Sequence, residues 1–177
     1  MAAGQRILIE LGDNFSRLLP SQVTPFLAEI KQAKRIFCIG AGRSRIILSA
    51  FCMRLNQLGL ESYLAGNIPC PPALKGDLVI AASGSATTPS VNAILKRAKD
   101  AGARIVLLTA TKDHDLGGLI DLPINIHAPN GLVNKDSKQP MRTLFEQICF
   151  ILYESIIAVL SMNIAPEEIA ARHTNLE

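Results

Sequence analysis

Two short loops that combine glycine with hydroxyl side chains are the first candidates for chemistry in this chain. The first loop reads Gly-Ala-Gly-Arg-Ser at residues 40–44, and the second loop reads Ser-Gly-Ser-Ala-Thr-Thr at residues 83–88. Small residues leave backbone N–H groups open to a ligand, and hydroxyl groups add further donors. The second loop also runs into a predicted helix beginning at Pro89, whose N-terminus carries a partial positive charge. We predict that the two loops together bind a phosphate or another compact anion.

Both loops follow apolar, β-rich runs that alternate with segments of helical periodicity. Strands are predicted at residues 35–39, 62–65, 77–81, 104–109 and 122–127, and helices at residues 44–58 and 89–100. Thr24 followed by Pro25 predicts a further helix start. Several of the β-rich runs are continuously apolar, as strands covered on both faces must be. Alternation of this kind is typical of parallel strands joined by right-handed crossovers, which bind ligands at the carboxyl ends of their strands.

The composition is that of a globular protein, and we expect one domain over residues 1–177. Of the 177 residues, 49% are hydrophobic and 19% are charged, and we find no internal repeat or low-complexity linker. The net charge of +3 is spread along the chain, which argues against nucleic acid and anionic membranes as partners. Aromatic residues make up only 5% and Trp is absent, so a bound sugar must be held by polar groups.

The segment over residues 141–162 is apolar on nearly every face of a helix. Such a helix must be buried on all sides. We therefore expect a homo-oligomer, a dimer or a tetramer, with Ile156 and Ile157 at the subunit contact. The longest apolar stretch, residues 148–162, is shorter than the ~20 residues that a membrane span requires and it contains Glu154, so no span is predicted. Because Glu10 interrupts the first apolar run, no targeting segment is predicted, and we expect the protein in the cytoplasm.

Metal and dinucleotide sites are both disfavoured. The four cysteines form no C-x-x-C pair and have no His at metal-ligand spacing, so neither a zinc site nor a disulfide framework is expected. The first loop could open a dinucleotide-binding fold, but Arg45 stands where the third Gly is needed. The next predicted strand ends Ala-Gly-Asn at residues 65–67 and lacks the acidic residue of such folds. We predict no metal and no organic cofactor.

The two loops resemble the phosphosugar-binding signature of sugar isomerase (SIS) domains. Phe-Cys-Met-Arg-Leu-Asn-Gln-Leu-Gly at residues 51–59 is similar to a helix of one subgroup, the 6-phospho-3-hexuloisomerases. Gln-Pro-Met-Arg-Thr-Leu-Phe-Glu-Gln at residues 139–147 and Arg-His-Thr-Asn-Leu-Glu at residues 172–177 resemble two further segments of that subgroup. The resemblance extends in order from residue 35 to residue 177.

This resemblance implies a three-layer α/β sandwich of the SIS type, doubly wound like flavodoxin, in which helices flank a five-stranded parallel sheet. It implies a homotetramer with shared active sites that interconverts 3-hexulose 6-phosphate and fructose 6-phosphate. By motif position, the phosphate would be bound by Ser44, Ser83, Ser85 and Thr88. The sugar carbons would lie near Glu146 and His173, and further substrate contacts could come from Gly42, Arg43, Gly84 and Thr87.

Glu146 and His173 suit the chemistry of a ketose isomerase. Moving a carbonyl from C3 to C2 requires removal of a carbon-bound proton, a cis-enediol, and return of the proton to the neighbouring carbon, and one carboxylate can do both. Apolar neighbours predict a partly desolvated Glu146. The His173 imidazole could reach a neighbouring subunit's site and move hydroxyl protons. The residues alone also allow a paired or solvent-facing Glu146, a surface His173, and Arg43 either on the substrate or in a salt bridge.

Five residues near the expected site depart from the family's motifs, namely Arg45, Asn67, Ala86, Thr87 and Arg142. Ala86 stands where the family's second loop has Gly, so a positive φ there would be strained. The departures leave the phosphate site in place and leave the sugar and the turnover open. The alternatives are a non-catalytic phosphosugar-binding module that senses its ligand and an aldose–ketose isomerase of another sugar phosphate.

Overall fold

The computed structural model describes residues 2–129 and 136–176. Its helices are α1 (Ala2–Phe15), α2 (Pro20–Gln32), α3 (Gly42–Gln57), α4 (Pro89–Asp100), α5 (Thr143–Ser161) and α6 (Pro166–Ala171). Its strands are β1 (Ile36–Gly40), β2 (Ser62–Leu64), β3 (Leu78–Ala82), β4 (Arg104–Thr109) and β5 (Leu122–Asn125).

The strands form one all-parallel sheet of five strands in the order β2-β1-β3-β4-β5. The chain winds one way from β1 to β2 and the other way from β3 to β5. This is the doubly wound, flavodoxin-like order, so the predicted topology is confirmed. In such sheets the crevice lies at the carboxyl ends of the two strands where the winding reverses, here β1 and β3.

Alternate strand residues face two separate cores, one on each side of the sheet. On β1, Ile36 and Cys38 pack with α2, α3 and α5, whereas Phe37 and Ile39 pack with α4. Both β1 and β3 are buried along their whole length, which explains their continuously apolar sequences. The helices on both faces make the three-layer α/β sandwich that the resemblance implied.

The predicted helix start at Pro25 is wrong, because α2 begins at Pro20 and contains Pro25. Pro20 occupies the first turn of the helix, where no N–H is needed. Phe26 and Ile30 are fully buried, and the packing of this face outweighs the backbone hydrogen bond that Pro25 cannot make. At the other end of the sheet, β5 ends at Asn125, two residues before the predicted end.

One face of α5 is buried within its own chain. Ile156 and Ile157 belong to that face, so the prediction that they lie at a subunit contact is wrong. A sequence that is apolar on all faces does not say which face its own sheet covers. The large side chains that remain exposed include Phe150, Ile151 and Val159. By length and composition α5 could cross a membrane, yet it packs here as a core helix of the sheet.

Tyr153 brings a polar group into this core. Its ring stacks on Phe51 with the centroids 4.5 Å apart, and its buried hydroxyl has no hydrogen-bond partner among the described residues. Since an unpaired buried polar group costs ~1–3 kcal/mol, we expect Tyr153→Phe to raise the free energy of unfolding by about 1 kcal/mol in urea titrations. Tyr63→Phe is the matched control, because the Tyr63 hydroxyl donates to Glu61. A Tyr153→Phe protein less stable than the wild type would contradict this account.

Candidate active site

A cavity of about 320 Å³ opens at the carboxyl ends of β1 and β3. It is lined by the first loop, the second loop and the start of α5, through residues Ala41, Gly42, Arg43, Ser44, Ala82, Ser83, Gly84, Thr88, Met141, Arg142, Phe145 and Glu146. Most of the predicted site residues are in this set, and Ser85, Thr87 and His173 are not. The charged side chains are two arginines and one glutamate, so the lining carries a net positive charge that favours an anionic ligand.

The first loop turns the chain directly from β1 into α3. A Cβ on Gly40 would lie only 2.9 Å from the Arg45 backbone nitrogen, so only glycine fits there, and Gly42 has a φ of +55°, which favours glycine. No side chain caps the N-terminus of α3, which leaves its first-turn N–H groups available to a ligand. Ser44 is buried in this first turn and adds a hydroxyl to the cavity. The loop is therefore built for close approach of an anion.

The second loop supplies two more hydroxyl groups. Ser83 follows β3 directly, and its Oγ lies 3.1 Å from Oγ1 of Thr88. Thr88 is the N-cap residue of α4 as predicted, but its side chain makes no capping hydrogen bond. The N-terminus of α4 is thus uncapped, like that of α3. Two helix N-termini and three hydroxyl groups meet in one cavity, which is the donor set that a phosphate requires.

Ser85 and Thr87 lie beside this cavity without lining it. The Thr87 backbone N–H and its hydroxyl both donate to Oγ of Ser85, at 3.3 and 2.9 Å. These contacts close a local turn on the outer side of the second loop, where Thr87 is exposed. The role in phosphate binding that motif position gives Ser85 stays a prediction.

Ala86, one of the departures from the family's motifs, has a φ of +56°. This is the left-handed region that disfavours side chains, as expected for a position where the family has Gly. Its carbonyl accepts a hydrogen bond of 3.0 Å from Nδ2 of Asn92 on α4. Helix α4 thereby holds the strained residue in the second loop.

Glu146 forms an ion pair with Arg43 inside the cavity lining. The Arg43 Nε donates to Oε2 of Glu146 at 2.5 Å, across from the first turn of α3 to the first turn of α5. The Glu146 side chain is 14% exposed and that of Arg43 is 48% exposed. The sequence allowed either a paired or a solvent-facing Glu146, and Arg43 either on the substrate or in a salt bridge. In the structure the two side chains pair with each other. The carboxylate is shielded from bulk water while the guanidinium side chain is half-exposed.

His173 does not approach Glu146 of its own chain. Its neighbour Arg172 donates to the backbone oxygen of Gln57 and lies over Gly59, at the C-terminal end of α3. The 16 residues of α3 span about 24 Å, and Ser44 is at the opposite end. His173 itself is exposed. Within one chain the structure therefore separates the two residues expected at the sugar carbons.

Arg142 is a site residue that the sequence marked only as a departure. It lines the cavity, and its Cδ lies 3.4 Å from the position of a Cβ on Gly84 of the second loop. Phe145 lines the cavity as well and packs over the same glycine. A cation four residues before a candidate base is a signal that could have identified Arg142. Nothing local identifies Phe145, since apolar residues surround it in the sequence.

Two other departures, Arg45 and Asn67, contact each other. The Arg45 guanidinium donates to Oδ1 of Asn67 at 2.8 Å and to the backbone oxygen of Ala65 at 2.9 Å. This contact ties the start of α3 to the segment that follows β2. Arg45, which stands where the motif has a glycine, therefore stabilises the first loop from outside the cavity lining.

No three His, Cys, Asp or Glu side chains in the described part of the chain are grouped in a way that could hold a metal ion. The cavity lining contains one carboxylate and no His or Cys. Its donor set therefore consists of hydroxyl groups, guanidinium groups and backbone N–H groups.

The SIS domain family model matches residues 29–143, which include both loops. This chain belongs to the SIS domain family. The match ends at the start of α5, so Glu146 lies just beyond it. The SIS resemblance predicted from the two loops is confirmed.

Three similar proteins extend this comparison. The 3-hexulose-6-phosphate isomerase of Mycobacterium gastri is 37% identical over 95% of this chain and 86% of its own length. A Methanococcus jannaschii protein is 32% identical, and its crystal structure infers a molecular function of 3-hexulose-6-phosphate isomerase. The two structures agree with a TM-score of 0.83 over 99% of this chain and 97% of that one. The Vibrio vulnificus NanR protein complexed with ManNAc-6P shares the fold at 18% identity and a TM-score of 0.74, over 97% of this chain and 64% of its own.

Proposed function

We propose that this protein is a sugar-phosphate isomerase that interconverts 3-hexulose 6-phosphate and fructose 6-phosphate through a cis-enediol. The observation that carries the proposal is the presence of a shielded carboxylate, Glu146, in the same cavity as a set of phosphate donors. A relative that is 37% identical over most of the chain is named for that activity. The crystal structure of a second protein, 32% identical over most of the chain, infers the same function for it. No metal or organic cofactor is needed for this reaction.

The phosphate enters first and orients the sugar. Ser44, Ser83 and Thr88 donate their hydroxyl protons to it, and the N-termini of α3 and α4 add backbone N–H groups and partial positive charge. Arg142 adds a full positive charge beside the second loop. Binding the phosphate at this end places the sugar carbons toward α5 and Glu146.

Glu146 then moves one proton between two neighbouring carbons. Its carboxylate takes the proton from C2 of the 3-hexulose, and O3 takes up a proton, which leaves a 2,3-enediol. The carboxylate then returns its proton to C3, and the O2 hydroxyl gives up its own proton as the carbonyl forms at C2. Arg43 contacts the same carboxylate and holds it in one orientation. The guanidinium is also placed to stabilise the negative charge that develops on the enediol oxygens.

His173 would complete the site from a second subunit, in a homo-oligomer that is a dimer or a tetramer. The position of His173 at the far end of α3 supports this arrangement, since its own cavity is out of reach. An apolar groove of about 570 Å³ adjoins Glu146 and Arg43, and it is lined by Leu8, Ile46 and Phe150 among others. An exposed groove of this kind beside the candidate site fits a subunit contact.

The groove leads to a prediction about assembly. Phe150 is 39% exposed, so Phe150→Asp is expected to fold, but it would bury a charge in the subunit contact. We expect light scattering after gel filtration to give the mass of a single chain and the turnover to be lost. Ser155→Asp is the matched control, since Ser155 is exposed on the same helix and lies outside the groove. An oligomer of wild-type mass for Phe150→Asp would count against the groove as the contact.

A non-catalytic sensor of sugar phosphates is the second candidate. It is favoured by the Arg43–Glu146 ion pair, which occupies the carboxylate that catalysis requires. Incubation with fructose 6-phosphate, followed by ¹³C NMR, separates the two: an isomerase generates a second ketose phosphate, and a sensor binds the sugar and leaves it unchanged. Because phosphorylated sugars do not cross membranes unaided, the proposed substrate fits a cytoplasmic enzyme.

A further inference from the structure

A buried amide anchors the segment that leads into α5. Gln139 is 4% exposed, and its Nε2 donates to Oε1 of Gln147 on α5 at 2.8 Å and to Oε2 of Glu10 on α1 at 3.3 Å. The other carboxylate oxygen of Glu10 accepts a hydrogen bond of 2.8 Å from the Lys138 backbone N–H. Two helices therefore hold residues 138 and 139 through one carboxylate and two amides, which are called the Gln139 network below.

None of these side chains takes part in the proposed isomerisation. Gln139, Gln147 and Glu10 all lie outside the lining of the cavity that contains Glu146. Stability alone does not require the network, since replacing hydrogen-bonded partners by apolar groups of the same shape is often nearly neutral. What fully paired polar side chains add is a single fixed arrangement of the elements that they join. The network therefore holds residues 138 and 139 in one place.

The anchored segment carries two residues of the cavity lining, Met141 and Arg142. Met141 has a φ of +59°, a left-handed conformation that disfavours a side chain. Such a residue keeps its conformation only where its surroundings fix the chain on both sides. On one side is Gln139, and on the other is a turn in which the Thr143 hydroxyl donates to the Pro140 carbonyl oxygen at 2.8 Å. These two contacts determine the direction in which the Arg142 side chain leaves the backbone.

We propose that Gln139 is a positioning residue that holds Arg142 at the phosphate of the substrate. The inference deepens the proposed function and rests on it, because there Arg142 supplies a full positive charge beside the second loop. The Arg142 Cδ lies 3.4 Å from the position of a Cβ on Gly84 of that loop. Gln139 lies outside the cavity, so it acts through the chain segment and not by touching the ligand.

Loss of the Gln139 network should weaken binding and spare the chemical step. Without the network the strained Met141 can relax, and Arg142 spends less time at the cavity. Glu146 stays in place, since its neighbours Leu144 and Phe145 are buried in the core. Binding free energy that is lost equally from the ground state and the transition state raises KM and leaves kcat unchanged.

Calorimetric titration of the full-length protein with fructose 6-phosphate tests the inference, and inorganic phosphate is the second probe. Gln139→Leu removes the hydrogen bonds of a side chain of similar size. We expect the Kd for both ligands to rise about tenfold, the effect of losing one hydrogen bond to a charged group. Turnover at saturating fructose 6-phosphate should stay within about twofold of the wild type. Arg142→Ala should raise the Kd by at least as much, and adding Gln139→Leu to it should change nothing further, because the two residues act as a unit.

Gln57→Leu is the matched control, because Gln57 is also a buried amide, 5% exposed, and it lies at the far end of α3. Its Kd and turnover should stay near those of the wild type. An unchanged Kd in Gln139→Leu, or an equal rise in the Arg142→Ala background, would overturn the positioning role alone. A wild type that binds neither ligand would overturn the proposed function as well, so the two failures are distinguishable.

Exchange of the carboxylate and the amide gives a variant that restores the network. Glu10→Gln leaves one oxygen for two donors, and Gln139→Glu sets two carboxylates against each other, so each change should raise the Kd. Glu10→Gln/Gln139→Glu again has one carboxylate and two amides, with donor and acceptor exchanged and the Gln147 amide turned over. Its Kd should return to near the wild-type value, and a folded double variant without this recovery would contradict the inference. If Gln139→Leu does not fold in a thermal melt, the exchange alone decides the question.

Discussion

Glu146→Gln is expected to lower the turnover of fructose 6-phosphate by about 10²–10⁴-fold, the range that general-base catalysis contributes. Glutamine keeps the shape of the side chain and can still accept a hydrogen bond from Arg43, but it cannot take up a proton from carbon. Binding of fructose 6-phosphate should survive, because the two loops supply the phosphate contacts. Steady-state kinetics and calorimetric titration measure the two effects separately.

Glu154→Gln is the matched control for this change. Glu154 lies on the same helix and also pairs with an arginine, Arg54, at 3.7 Å, but it is outside the cavity. Its replacement should leave turnover close to that of the wild type. If Glu146→Gln keeps full turnover, the base lies elsewhere and the assignment of Glu146 is wrong.

Removal of two hydroxyl groups from the second loop should weaken ligand binding. Hydrogen bonds to a charged group contribute ~1.5–3 kcal/mol each, so the Ser83→Ala/Thr88→Ala double variant is expected to lose about 3–6 kcal/mol of binding free energy. That loss is roughly a 10²–10⁴-fold increase in the Kd for fructose 6-phosphate. Calorimetric titration measures it, and a thermal melt checks that the variant is folded.

The same loop offers the matched control. Ser85→Ala/Thr87→Ala removes two hydroxyl groups that bond to each other on the outer side of the loop. Its Kd should stay near the wild-type value. A larger loss in this control than in Ser83→Ala/Thr88→Ala would restore the motif-based role of Ser85 and contradict the geometry.

Much of the sheet could be predicted because its strands are buried on both faces. Continuous apolar runs identified β1, β3 and β4, and the rule that parallel strands place ligands at their carboxyl ends brought the two loops together. The start of α2 was mispredicted since Thr24 and Pro25 form a valid capping pair locally. Only the folded chain shows that the helix begins earlier, at Pro20, with Val23 packed against the core.

The side-chain pairs of the site could not be predicted from the sequence. The Arg43–Glu146 ion pair joins residues 103 positions apart, and no periodicity links them. The same holds for Arg172, whose contact with the end of α3 decides where His173 lies. Such contacts depend on how α3, α5 and the C-terminal residues pack, which is set only in the folded chain.

The position of deuterium exchange in fructose 6-phosphate tests the central claim most directly. The wild-type protein is incubated with fructose 6-phosphate in deuterated water, and the sugar is followed by NMR. A base that connects C2 and C3 must remove the proton on C3 of fructose 6-phosphate, so the account predicts deuterium at C3 together with a new 3-ketose phosphate. Exchange at C1 would instead indicate an aldose–ketose isomerase, and tight binding without any exchange would show that the protein is a sensor.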